Sequence, residues 1–172
     1  MVKLKLNKDD VKPHDSVAAI ITRVDPKTNE ILYLTEHHLK HNMLCPVIGK
    51  VKDEQDIVDA LKAECFEEVG ITPTTFSKVC QYSKTYIGRT DPETGKKVDV
   101  KVTCHIFDIA KYTGIPINKE PNKHKWVKWL TRGEIEQNRI KTCDAYVWYF
   151  AWLDDVNTPS MVKPSVTVGF GR

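Results

Sequence analysis

The stretch that most limits how this chain can fold is GKVKDEQDIVDALKAECFEEVGI, Gly49 to Ile71. Ile57, Val58, Leu61, Cys65 and Val69 recur at helical offsets and make one apolar face, so a helix is expected from about Asp53 to Val69. Gly70 ends it as a C-cap glycine, and Pro73 follows soon after. Glu64, Glu67 and Glu68 fall on a stripe that overlaps the apolar one. At about 100° per residue, Glu67 lies about 60° to one side of Glu64 and Glu68 about 40° to the other, within reach of one small volume. Leu61 stands only about 20° from Glu68 around the helix, so the acids border the buried face. Like charges four residues apart repel, and near the C-terminal end they also meet the helix's negative pole. A hard, oxygen-seeking cation, Mg²⁺ or Mn²⁺, would offset both penalties. Three glutamates that simply face water are the other reading, and spacing alone leaves the two open. Gly49 lets the backbone approach closely or turn tightly just before the helix.

The surrounding pattern is strand-rich. Asp15 to Val24 reads as a buried strand, DPKTNE (residues 25–30) as a turn, and Ile31 to Glu36 as the returning strand. His37, His38 and His41 follow in a segment expected to be irregular surface loop, because their spacing matches no compact ligand set. Thr75 to Gly88 and Val98 to Tyr112 are expected to form a long hairpin across a loop from Arg89 to Lys97. Trp126 to Leu130 is a short strand, Thr131 caps a helical turn, and Thr142 to Val156 is a second long helix. Its heavy face carries Ala145, Trp148, Tyr149 and Trp152. Strands, helix, strands, helix favours a mixed sheet between helices, an α/β (α+β) fold.

Bulk composition excludes several function classes. With 172 residues and 41% apolar content the chain suits one domain, 1–172, with a core of about 14–156. The tail over 157–172 is expected to be flexible or to add an edge strand at Val166 to Phe170. A net charge of +3 does not suggest a dedicated nucleic-acid binder and is compatible with a small anionic substrate. Five cysteines without a CxxC pair read as reduced thiols, not as a zinc site. No apolar run fits a signal peptide or a membrane span, so a soluble, cytoplasmic protein without membrane partners is expected.

The stretch from Gly49 to Ile71 resembles the signature of the Nudix (MutT-like) hydrolases, G-x5-E-x7-R-E-U-x-E-E-x-G-U with U a bulky aliphatic. Gly49, Glu64, Glu67, Glu68, Gly70 and Ile71 stand in register with it. The resemblance implies an α/β/α sandwich and metal-dependent hydrolysis of a diphosphate bond in a nucleoside diphosphate derivative. It makes Glu67 and Glu68 the main Mg²⁺ or Mn²⁺ ligands. Glu64 becomes a further ligand or the group that orients and deprotonates water. Glu120, upstream of the tryptophan-rich segment, corresponds loosely to an additional metal-associated acid of the family. Gly49, Lys50, Arg89, Lys123 and His124 are the candidate substrate contacts. The substrate classes implied are nucleoside triphosphates, ADP-ribose-like sugars, dinucleoside polyphosphates and capped RNA ends.

Two positions depart from the signature. Gln55 stands where the pattern has glutamate, and Ala63 where it has arginine. Alanine cannot hold a neighbouring glutamate by a charge-assisted hydrogen bond, and an amide is a weaker cation ligand than a carboxylate. Asp56, within about 20° of Glu67 around the helix, is a candidate replacement ligand, and Lys62 is badly angled to replace the arginine. The alternative function is therefore a catalytically silent nucleotide-binding or regulatory protein on the same scaffold. Trp148 and Trp152, one turn apart, offer a surface that packs internally or against a second copy, as in a homodimer.

Overall fold

The run SVAAII, residues 16–21, is buried at every position. A strand with no solvent face must lie in the middle of a sheet covered on both sides. The computed structural model describes residues 11–157 and shows that arrangement. The elements in order are β1 (Val11–Val24), β2 (Ile31–His38), β3 (Met43–Cys45), β4 (Val47–Lys50) and α1 (Ile57–Val69). There follow β5 (Thr72–Thr90), β6 (Lys97–Thr113), β7 (His124–Thr131), α2 (Arg132–Glu136), β8 (Lys141–Thr142) and α3 (Asp144–Asn157). The fold is an α/β/α sandwich around a mixed, curled sheet.

β1 organises the sheet by changing partners along its length. Val11 to Ile21 pair in parallel with β6, and Ser16 to Ala19 pair on the other edge with β4, antiparallel. The last three residues, Thr22 to Val24, leave that sheet and pair with β2. β2 in turn carries β7 along one edge and β3 on the other, with β8 beyond β3. Side chains alternate across a strand. Val17, Ala19 and Ile21 therefore face α1 with Leu34, Phe107 and Ile109, while Ala18 and Ile20 face α3 with Tyr33, Cys104 and Ile106.

Sequence expectations and structure diverge in a few places. α1 starts at Ile57, not Asp53, because the Asp56 carboxylate accepts hydrogen bonds from the Val58 and Asp59 amides at 2.8 and 3.2 Å. That is an N-cap, and Glu54 before it has a left-handed backbone, φ 63°. Gly70 ends the helix as expected, with φ 74°. The hairpin of β5 and β6 forms, with strands several residues longer than expected. On α3 the buried residues are Ala145, Tyr146, Tyr149 and Phe150, with Trp148 and Trp152 half-buried at the flanks. Trp148 stacks on Tyr82 and Trp152 packs on Tyr149, so both tryptophans contribute to the chain's own core. All five cysteines are free and buried. No helix among the described residues is long and apolar enough to cross a membrane. The segment Val166 to Phe170 lies outside the described residues.

Candidate metal centre and cleft

α1 fans its three acids across a boundary. Glu68 continues the buried stripe of Leu61 and Cys65 and is only 6% exposed. Glu64 is half-buried and Glu67 is exposed. Proximity to Leu61 around the helix thus separates the inward glutamate from the outward one. The Glu64 carboxylate lies directly against Gly49 of β4, so close that any Cβ at position 49 would overlap it. Glycine here is the condition for Glu64 to reach its place.

The structure adds an acid from another element. Leu32, Leu34 and Glu36 share one face of β2, and Leu34 belongs to the core under α1. Glu36 carries that face onward and is fully buried, 0% exposed. Its carboxyl meets the Glu68 carboxyl, and no N–H or hydroxyl group donates to either Glu36 oxygen or to Glu68 Oε2. Burial, then the charge of Glu68, pushes the Glu36 carboxyl well above the usual carboxylate range. Burial raises Glu68 as well, partly opposed by the contact with Glu36 and by the Ile48 backbone. Glu64 is raised by burial first and by the charge of Glu67 second. These are carboxylates held where their negative charge is disfavoured.

His124, the first residue of β7, is the third member. It is 1% exposed, and its Nε2 stands 3.2 Å from Glu36 Oε2 without hydrogen-bond alignment. The loop before β7 brings it there. Ile117 and Lys119 donate their amides to the last carbonyls of α1, Val69 and Glu68, each at 3.0 Å. Those carbonyls have no partner within the helix, so the loop satisfies them and is fixed by them. Gly114 permits the approach: a Cβ there would lie 2.6 Å from the Gly70 oxygen. Asn118 then donates to the His124 carbonyl at 2.8 Å. One ligand atom from each of Glu36, Glu68 and His124 lies within 4.8 Å of the others.

Above this cluster opens a cleft of about 440 Å³. Glu64, Glu68 and His124 lie among its lining, with Lys40, Lys50 and Lys123. His38 and His41 also line it, correcting the expectation of a histidine-bearing surface loop. His38 ends β2 and is half-buried, and His37 beside it is buried, its Nε2 2.7 Å from Asn42 Oδ1. Only His41 is exposed. Strand pairing with β3 and β7 extends β2 through His37 and His38, which spacing in sequence did not reveal.

The remaining candidate residues are distributed as follows. Glu67 is not among the residues lining the cleft. Glu120 pairs with Lys123 at 2.8 Å, and its charge raises the pKa of Glu36, Glu64 and Glu68. Asp56 caps α1 through Oδ1, and Gln55 accepts from the Lys52 amide at 3.0 Å, so both serve the turn before the helix. Lys62 lies over the Phe76 ring and not at the acids. Arg89 stacks on Tyr86, 4.7 Å from the ring centroid, and lines a separate cavity of about 350 Å³ that shares Lys50 with the cleft. Sequence reasoning missed Glu36, although an acid continuing the apolar stripe of Leu32 and Leu34 is the signal that could have found it.

The NUDIX domain model matches residues 12–149 of the chain. The chain belongs to the Nudix family. Among solved structures, the MutT NUDIX hydrolase from Burkholderia pseudomallei is similar with a TM-score of 0.62 at 17% identity, covering 83% of this chain and 98% of that one. The ORF135 protein of E. coli is similar at 0.59 and 21% identity, covering 88% and 98%. The NUDIX domain of Shewanella oneidensis NrtR, complexed with ADP ribose, gives 0.56 at 11% identity, covering 84% and 88%. These likenesses are of fold. Comparison with curated proteins gave no match. As a Nudix protein the chain implies a divalent cation, and the residues present fit one. Buried carboxyl oxygens without hydrogen-bond donors, beside an imidazole, are a donor set that a dication satisfies and that protein groups here leave unsatisfied.

Proposed function

We propose that this Nudix protein hydrolyses a diphosphate bond in a nucleoside diphosphate derivative, with Mg²⁺ or Mn²⁺. The observation that carries this reading is the pairing of opposites in one cleft: the Glu64 and Glu68 carboxyls line it, with buried Glu36 behind Glu68, and Lys40, Lys50 and Lys123 line it too. Glu68 would hold the cation, with Glu64 at the cleft and Glu67, Asp56 and Glu120 as further candidate acids from the box and the loop. A bound dication supplies charge neutralisation for the phosphate oxygens and acidifies water. The chain's own residues do the rest. Lys40, Lys50 and Lys123 bind and orient the phosphates, and Gly49 keeps Glu64 pressed to the backbone in one position. Glu64, half-buried and raised above the usual carboxylate range, is suited to take a proton from water at a carboxylate oxygen. Lys123 lowers the Glu64 pKa and is the cation nearest in effect to the missing arginine.

The substrate panel follows from the family and its relatives. One structural relative is a C. elegans Ap4A hydrolase and another is complexed with ADP ribose. Dinucleoside polyphosphates, ADP-ribose, nucleoside triphosphates and capped RNA ends are therefore assayed with each metal, in the wild type, Glu68→Gln and Glu64→Gln. Turnover that falls in both variants supports the reading; equal turnover in all three proteins overturns it. A second reading, ligand binding without turnover, is favoured by Gln55, whose side chain accepts from the Lys52 amide, and by Asp56, whose Oδ1 caps α1. Calorimetric binding followed by recovery of the intact nucleotide from the same sample would establish it.

A further inference from the structure

The donor set in the floor of the cleft differs in chemistry from the acidic stripe of α1. Only Glu68 belongs to both. Glu36 comes from near the end of β2 and His124 from the start of β7, and with Glu68 they are 0%, 1% and 6% exposed. Buried polar groups are ordinarily hydrogen-bonded. Here the two carboxyls meet each other: no N–H or hydroxyl donates to either Glu36 oxygen or to Glu68 Oε2, His124 Nδ1 has no partner, and His124 Nε2 stands 3.2 Å from Glu36 Oε2. Three buried side chains from three elements, with no partner for their ligand atoms beyond the cluster itself, thus each bring one such atom within 4.8 Å of the others.

An imidazole nitrogen changes which ion such a site holds. Mg²⁺ demands oxygen ligands in near-octahedral geometry and keeps much of its water. Imidazole suits Fe²⁺, Ni²⁺ and Zn²⁺ best, and Mn²⁺, the weakest binder of that first-row series, still accepts a nitrogen donor among oxygens where Mg²⁺ keeps to oxygen. An ion also needs an entry path. His41, exposed, stacks on half-buried His38 at 5.1 Å, and His38 stands 5.5 Å from the His124 ring, so imidazoles run from solvent to the buried set. Lys123, which would repel an entering cation, is neutralised by Glu120 at 2.8 Å.

We propose that Glu36, Glu68 and His124 form an imidazole-bearing site that takes a divalent transition cation in preference to Mg²⁺. The inference shares Glu68 with the hydrolase reading but does not rest on turnover. The test uses the untagged full chain without substrate. Titration calorimetry with Mn²⁺ and with Mg²⁺ is expected to give Mn²⁺ an affinity at least about tenfold higher. Pulsed electron paramagnetic resonance of the Mn²⁺-loaded protein is expected to show coupling to an imidazole ¹⁴N. In His124→Gln that coupling disappears and the Mn²⁺ preference falls by about tenfold or more, while Mg²⁺ affinity stays within about twofold. Glu36→Gln weakens both ions. Equal affinities for the two ions in the wild type, or absence of nitrogen coupling there, overturns the proposal. So does coupling that persists in His124→Gln. If His124→Gln does not fold, the wild-type nitrogen signal and Glu36→Gln decide. Coupling without hydrolysis of any panel substrate sustains this site and sinks the hydrolase reading; hydrolysis without coupling does the reverse.

Discussion

Thr35 and Glu36 are neighbours on β2 that face opposite sides of the same sheet, and their surroundings could hardly differ more. Thr35 looks toward α3, where its hydroxyl lies 3.0 Å from the Tyr146 hydroxyl, which itself donates to the Leu34 carbonyl at 3.0 Å. Around them Tyr33, Tyr146, Tyr149 and Phe150 pack edge-on and stacked. Glu36 looks toward α1, equally buried, and no N–H or hydroxyl donates to its oxygens, which meet another acid, Glu68. One side closes its polar groups internally and holds the fold. The other leaves them open, at a cost that only a ligand or a proton relieves.

Four experiments test that contrast. The largest effect is expected from Glu68→Gln, which should reduce hydrolysis by at least about a hundredfold. The same change should raise the melting temperature of the metal-free protein, because it removes a buried like charge. Activity and a thermal melt on one preparation check both halves. A variant that loses activity and stability together would mean that Glu68 is a structural group, like Tyr146.

Gly49→Ala comes next. The added methyl meets the Glu64 carboxylate, so either the helix shifts or Glu64 swings out. A loss of about 2 kcal/mol in urea unfolding, or a drop in activity of about tenfold with stability kept, distinguishes the two. Tyr146→Phe tests the closed side. Deleting its hydroxyl leaves the buried Thr35 hydroxyl with one contact fewer and should cost about 1–2 kcal/mol, with turnover per folded molecule unchanged.

The smallest effect is a slope. Glu36, Glu64 and Glu68 all have folded pKa values above those of the unfolded chain, so the folded state binds more protons. Stability of the metal-free protein should therefore fall as pH rises from about 5 to about 8. Saturating Mn²⁺ should flatten the slope, and Glu68→Gln should reduce it. A metal-free stability that rises over this interval would contradict the assignment of these carboxyls as charge-disfavoured.

Much of the architecture was legible in the chain because it rests on local pattern. The turn at residues 25–30, the hairpin of β5 and β6, the Thr131 cap and Gly70 at the end of α1 all have near-neighbour causes. So does the proximity of Glu68 to the buried face, which follows from its angle to Leu61. Asp56 shows the limit: its angle to Glu67 follows from helix geometry, while its place as the N-cap, accepting from the Val58 and Asp59 amides, appears only in the structure.

What the sequence alone determined is the periodicity of α1, the strands that flank it and the register that places Glu64, Glu68 and Gly49 in the Nudix pattern. Those are consequences of bond geometry within a few residues. Tertiary structure alone decided that Glu36 and His124 join Glu68 and that Glu67 does not line the cleft. It also drew His38 out of an expected loop. Side chains separated by 32 and 56 positions meet only when β2, α1 and the loop before β7 are packed together. No local rule sets that distance; strand parity and the helix-end carbonyls that anchor the loop do.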